Sequence, residues 1–179
     1  MTPTGAVRRI DALGRFVIPQ QVRQSLHIRP GTSLAFSVNG DGAVVLGKYS
    51  PVGALGGIAS NYADSLHAAT GLVALITDAG TVVAAAGDAT LLDQPIGSAV
   101  EEAMARCRSV THGSGGPYSG AVVKDDDRFA SFVVAPILMG ADPQGSVILA
   151  SRRDEAAVGV AEANLARAAA AFLGRLIGE

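Results

Sequence analysis

Thr4-Gly5-Ala6-Val7-Arg8-Arg9-Ile10-Asp11-Ala12-Leu13-Gly14-Arg15-Phe16-Val17-Ile18-Pro19 is the stretch that decides how the N-terminal part of this chain folds. Residues 5–10 read as a short strand and Leu13-Gly14 as a turn. Arg15-Phe16-Val17-Ile18 reads as a second strand, because β-branched and aromatic side chains suit a pleated, half-buried surface. Pro19 stops that strand and can open a helix, since its fixed φ suits the first helical position. Gln20 to Leu26 then gives one or two helical turns, with Val22 and Leu26 on one face at i, i+4.

Working outward, Arg29-Pro30-Gly31-Thr32 fits a type II turn, with Pro at i+1 and Gly at the positive-φ position. Ser33 to Val38 alternates polar and apolar residues, with Leu34, Phe36 and Val38 on one side. Asn39-Gly40-Asp41-Gly42 is a hairpin signal, and Ala43 to Leu46 returns as the partner strand. A unit of four short strands and one short helix buries too little surface to be secure alone. It contains no cysteine, the single Cys107 lying far outside it, so dimerisation is the physical expectation.

The net charge of −2 argues against a nucleic-acid partner, because basic excess is the usual footprint of one. The average conceals an asymmetry. Residues 1–52 carry Arg8, Arg9, Arg15, Arg23, Arg29 and Lys48 against Asp11 and Asp41, a net +4. Residues 53–179 carry 8 basic and 14 acidic side chains, a net −6. That split suggests a basic interaction module on an acidic partner domain, and the domains are read as 1–52 and 53–179.

Ser50-Pro51 marks a helix start, with Ser as N-cap and Pro in the first turn. Leu55, Ile58, Ala59, Tyr62, Ala63 and Leu66 follow at helical spacing. Gly56-Gly57 is a weak point in that helix and Gly71 its cap. Leu72–Thr77 and Thr81–Ala86 read as strands around the turn Asp78-Ala79-Gly80. Ser98-x-x-Glu101 reads as a capping box for a helix to about Arg108. Residues 109–117 read as a flexible loop. Tyr118–Lys124 and Phe129–Leu138 read as strands, Ala141–Gly145 as a turn, and Ser146–Ala150 as the last strand. A final helix runs from about Glu155 to Ile177. The fold class is therefore α+β with a central antiparallel sheet. Hydrophobic residues make up 49% of the chain and mean hydropathy is +0.34, which suggests apolar surface buried between chains. The Ala-rich last helix is the expected contact.

Catalytic hardware is thin. His27, His67 and His112 lack a short ligand spacing, and neither HExxH nor CxxC occurs. No metal site, cofactor or enzyme activity is expected. Cys107, between Arg106 and Arg108, reads as a buried helix-end thiol. Gly113-Ser114-Gly115-Gly116 lacks the Gly-Lys-Ser/Thr ending of a phosphate loop. Asp125-Asp126-Asp127 reads as a solvated hairpin tip. Met1 to Gly14 holds no signal peptide, and no stretch reaches the roughly 18–20 apolar residues that span a bilayer. A cytoplasmic protein with no membrane contact is expected.

Arg8, Arg9, Arg15 and Arg23 cluster within sixteen residues, offset only by Asp11. The planar guanidinium fork bonds two acceptors at once, which suits phosphates and guanine edges. From the residues alone, a DNA-binding face and a solvated arginine surface stand as equal alternatives.

The run from Thr4 to Pro19, followed by Arg23, Leu26, Ile28 and Gly31, resembles the swapped-hairpin DNA-binding domain of the AbrB/SpoVT family. Lys48-Tyr49-Ser50-Pro51 and Asn61–Leu66 resemble the linker helix of the SpoVT-type members. Val134–Ile137 and Gly140–Ile148 are similar to their C-terminal GAF-type domain. The resemblance implies a bacterial transcriptional regulator of sporulation, developmental or transition-state genes, associated with the nucleoid. Two N-terminal domains would exchange hairpins into one β-barrel that binds double-stranded DNA. GAF-like domains would join dimers into a tetramer, with a small-molecule ligand as a further partner. Residues matching Arg8, Arg15 and Arg23 contact DNA in the family, and Arg9 matches a commonly basic position. Gln24 departs from the pattern, which often has a second Arg there. An antitoxin-like module and a small-molecule sensor of GAF or roadblock type are the rival readings.

Overall fold

The computed structural model describes residues 7–25, 28, 34–113, 116–117, 120–152 and 157–178. The chain divides into two compact units, Met1–Tyr49 and Ser50–Glu179. This division falls before the 52/53 boundary read from the sequence. The Ser50 hydroxyl accepts the Gly53 N–H at 2.8 Å, and Val52 is fully buried in the core of the second unit.

In the first unit, Pro19 precedes helix α1 (Gln20–Ser25) and its carbonyl accepts the Arg23 N–H. Strands β1 (Leu34–Val38) and β2 (Val44–Lys48) pair antiparallel in the expected hairpin. Asn39 closes the turn, its side chain accepting the Ala43 N–H at 2.8 Å. Residues 7–10 and 15–18 differ from the sequence reading: neither forms a strand. A strand exists only through a partner's ladder, and within one chain the Asp11 N–H to Arg15 O bond of 2.9 Å is what joins the two segments. The turn expected at 29–32 lies outside the described residues, as do Leu26 and His27.

No described residue of this unit is buried. Val7, Ile10, Leu13, Val17, Phe36, Val38 and Val44 are all more than 60% exposed. An exposed apolar set of this size is the kind of surface that contacts between proteins cover.

The second unit begins with helices α2 (Pro51–Ala54) and α3 (Gly57–Thr70), broken at Gly56, where φ is +49°. Gly71 ends α3 in the left-handed conformation. Strands β3 (Val73–Thr77), β4 (Val82–Ala86), β5 (Val110–Gly113), β6 (Gly116–Pro117), β7 (Phe129–Met139) and β8 (Asp142–Arg152) form one antiparallel sheet in the order β4-β3-β8-β7-β5-β6. Helix α3 and the last helix, α5 (Val160–Leu176), cover one face, and α4 (Ser98–Arg106) covers the other. Alternation therefore gives way to continuous apolar runs: all five residues of β3 are buried.

Bulges set which side chains reach which face. Ile76 pairs with Ala84 but Thr77 with Val82, so Val83 is the extra residue. Val82 and Ala84 consequently pack on opposite faces despite their even spacing.

Other expectations are corrected here. Residues 109–117, read as a loop, contribute β5 and β6, because the exposed edge of β7 offers a ladder from Val110 to His112. Among the described residues of the expected strand at 118–124, only Val123 makes a bridge, to Ile96. Ser98 is not an N-cap. Gly97 takes that position, and the Ser98 hydroxyl instead accepts the Ala121 N–H at 3.3 Å. The β7–β8 turn is tighter than expected, β8 already starting at Asp142. The last helix starts at Val160, where the Glu162 carboxylate accepts the Gly159 N–H at 2.8 Å.

The small residues of α5 serve their own sheet first. Ala163, Ala166, Ala169, Ala170 and Gly174 are buried, and a Cβ on Gly174 would lie 2.3 Å from the Leu138 carbonyl oxygen. Helix propensity alone favours alanine there by about 1 kcal/mol. Overpacking against fixed backbone costs about 1–3 kcal/mol and opposes it. We expect Gly174→Ala to lower the melting temperature by roughly 2–8 °C. Gly57→Ala, at a site with nothing within 4 Å of the added Cβ, should leave it unchanged or raise it. Thermal denaturation of the two variants checks the pair.

Candidate nucleic-acid interface

Arg8, Arg9, Arg15 and Arg23 are all exposed. Arg8 and Arg9 precede the turn that starts at Asp11, Arg15 leaves it, and Arg23 lies in the last turn of α1. Arg8 donates to the Val7 carbonyl at 3.2 Å. The turn holding Arg15 is built by Asp11. Its Oδ1 accepts the Leu13 N–H at 2.9 Å and the Arg15 N–H at 2.8 Å. Its Oδ2 accepts Arg15 Nε–H at 2.9 Å. Gly14 supplies the left-handed residue, φ +75°. Bonds from the Arg15 N–H and guanidinium, then from the Leu13 N–H, hold the Asp11 carboxyl below its ordinary value. Sequence reasoning took Asp11 only as an offsetting charge. Its i, i+4 spacing from Arg15 across a Leu-Gly turn was the available signal.

The other chemical candidates resolve differently. Cys107 is exposed, not buried: it caps α4 at φ +50°, beyond the packed side of the helix. His67 Nδ1 lies 2.6 Å from the Leu72 carbonyl oxygen, and His112 rests on Phe132 with ring centroids 5.2 Å apart. No group of three His, Cys, Asp or Glu side chains that could hold a metal occurs among the described residues. Asp126 of the acidic run accepts Arg128 Nε–H at 2.9 Å. The sequence reading missed the centre of that cluster, Asp88. Its Oδ2 meets Arg128 Nη1 at 3.0 Å and Arg152 Nη2 at 2.6 Å. These partners lie 40 and 64 residues away, so no local spacing could have revealed them. A cavity of about 470 Å³, lined by His112, Val122, Asp126, Asp127, Phe129 and Phe132 among others, opens on the α4 side of the sheet. No helix among the described residues is long and apolar enough to cross a membrane.

Residues 54–178 match the family described as stage V sporulation protein T C-terminal, transcription factor. Across 177 residues the chain is 38% identical to stage V sporulation protein T of Bacillus subtilis (strain 168), with 98% of each chain covered. The chain belongs to the stage V sporulation protein T family of transcription factors. Stage V sporulation protein T-type chains are thus transcription regulators by class, and transcription regulation is a different task from catalysis. Residues 7–54 match the family described as antidote-toxin recognition MazE, bacterial antitoxin. Over 53 residues the chain is 43% identical to the putative transition state regulator Abh of B. subtilis, covering 30% of this chain and 56% of that one.

Solved structures give the fold of the second unit. The GAF domain of an Acinetobacter phosphoenolpyruvate-protein phosphotransferase aligns with TM-score 0.54 at 12% identity, covering 88% of this chain and 89% of that one. A type II free methionine-R-sulfoxide reductase from Thermoplasma acidophilum aligns with the same score and identity, covering 71% and 94%. At that identity the likeness is one of fold, and the fold is GAF-like.

The Asp88 cluster yields a pH prediction. The Thr90 hydroxyl bond first, then the Thr90 N–H and Arg152, hold its carboxyl below the ordinary value of 3.8 against the opposing effect of burial. A folded-state pKa below the unfolded one stabilises the fold above the unfolded value, and that stability disappears as pH falls through the folded one. Acid denaturation followed by circular dichroism should therefore show a shallower loss of stability below pH 3.8 in Asp88→Asn than in the parent.

Proposed function

We propose that this chain is a DNA-binding transcriptional regulator of sporulation or developmental genes, acting in the cytoplasm at the nucleoid. Arg8, Arg9, Arg15 and Arg23 are its DNA contacts. The observation that carries the reading is the first unit itself: four exposed arginines on a unit with no buried described residue. Its apolar side chains need a second copy, and a second copy doubles the arginines on one body. A swapped-hairpin barrel would also give residues 7–10 and 15–18 the ladder partners they lack within one chain. Phosphate neutralisation and duplex shape then carry more of the recognition than base edges.

The second unit supports a further level of assembly. Phe172 of α5 stacks on Tyr62 of α3 at 5.5 Å and is still 49% exposed, and Ile58, Val160 and Leu165 are exposed on the same two helices. Joining dimers through this outer face gives a tetramer. The cavity beside His112 is of a size that suits a small ligand, which would make the GAF-like unit the sensing half.

The MazE-type match of residues 7–54 favours one rival, an antitoxin module. Against it stands the folded second unit, which belongs to the transcription-factor family and fills the rest of the chain.

Fluorescence anisotropy on a mixed-sequence duplex tests the reading. Log K should fall linearly with log salt concentration, with a slope of about −0.9 per phosphate neutralised. A flat plot overturns it. Arg15→Ala should weaken binding about tenfold on every sequence and make the slope shallower by about one. Solution mass should be two or four times the chain's 18.0 kDa, and a monomer would remove the basis of the composite basic face.

A further inference from the structure

An arginine on an exposed loop loses rotamer freedom when it docks, and that loss opposes binding. Arg15 is held in advance. We propose that Asp11 is a positioning residue for DNA recognition, presenting the Arg15 guanidinium with its forked end free for phosphate. The proposal rests on the reading that Arg15 meets the DNA backbone.

The two carboxylate oxygens divide the work. Oδ1 accepts the Leu13 and Arg15 backbone N–H groups and so shapes the turn. Oδ2 accepts Arg15 Nε–H at 2.9 Å and so orients the side chain. A guanidinium has five N–H donors in a fixed plane. Binding through Nε leaves the four on Nη1 and Nη2, the pair whose geometry matches two phosphate oxygens. The Arg15 side chain remains 73% exposed, so the fork is open to a ligand while its stem is fixed. The Asp11 carboxyl, held below its ordinary value by these same bonds, stays ionised throughout the neutral range.

The sign of the effect separates this role from simple electrostatics. Asp11 places a negative charge beside a site for a negative polymer, so its removal should strengthen DNA binding by Coulomb's law alone. Positioning predicts the reverse. Asp11→Asn keeps a neutral oxygen acceptor for the two backbone N–H groups and puts an NH2 donor where Oδ2 accepted Nε–H, so the bond that orients Arg15 is lost.

The test is a double-mutant cycle in the full-length protein on a mixed-sequence duplex. Asp11→Asn should weaken binding about three- to tenfold with Arg15 present, and in the Arg15→Ala background should leave binding unchanged or slightly tighter, as loss of the negative charge alone requires. Its salt slope should also be shallower than the parent's, a change that a merely loosened fold does not require. Unchanged or tighter binding by Asp11→Asn overturns the inference, even while Arg15→Ala loses affinity as the functional reading expects. Full affinity in Arg15→Ala overturns the functional reading instead. If Asp11→Asn fails to fold, Asp11→Ser decides: its hydroxyl still accepts a turn N–H but leaves no second oxygen for Arg15 Nε. Weaker binding in Asp11→Ser supports positioning, and parent-like or tighter binding overturns it.

Discussion

The antiparallel pairing of β7 with β8 is the interaction on which the second unit depends. Each strand has eleven residues, and between them they run through the middle of the sheet. Val133, Ala135, Ile137, Val147 and Leu149 point to the face that α3 and α5 cover, while Phe132, Val134, Ile148 and Ala150 point to the face under α4. A sheet buried on both faces cannot tolerate polar alternation. That requirement accounts for much of an apolar content that looks excessive for a small protein. It also forces small residues onto α5, because a helix lying against a fully packed sheet must approach its backbone closely.

The first unit shows the same constraint unmet within one chain. Its β1–β2 hairpin closes locally, with the Asn39 side chain accepting the Ala43 N–H, yet Phe36, Val38 and Val44 remain in water. Local hydrogen bonding can close a turn without any core. So few residues bury little surface on their own, and the second copy proposed above would supply the rest. The polar architecture of the Asp11–Arg15 turn is finished within the single chain, whereas the apolar architecture is not. The turn that presents Arg15 is thus shaped locally, on a unit whose apolar side chains stay exposed within one chain.

Much of this was legible in the residues. Ser50-Pro51 as a helix start, the break at Gly56-Gly57, the Gly71 cap, the Asn39 hairpin turn and the turn at Asp78 all depend on backbone chemistry within a few positions. Segments that need a distant neighbour were misread. Residues 110–113 became a strand through the β7 edge, and Ser98 lost its capping role to a bond with Ala121. The Asp88 cluster was invisible for the same reason. At the candidate interface, the four arginines stood out by type and clustering, whereas Asp11 passed as a mere counter-charge because its bonds depend on turn geometry.

The sequence by itself determined the two-part charge division, the local starts and stops, and the presence of an arginine-rich turn, since these follow from side-chain type and short-range spacing. The tertiary structure decided which face each strand residue serves, because a single bulge at Val83 reverses the alternation. It also decided that the alanines of α5 pack inward and that Asp11 Oδ2 holds Arg15 by one edge of its guanidinium. Those outcomes turn on where distant backbone comes to rest and on the direction of single bonds, which composition and periodicity do not encode.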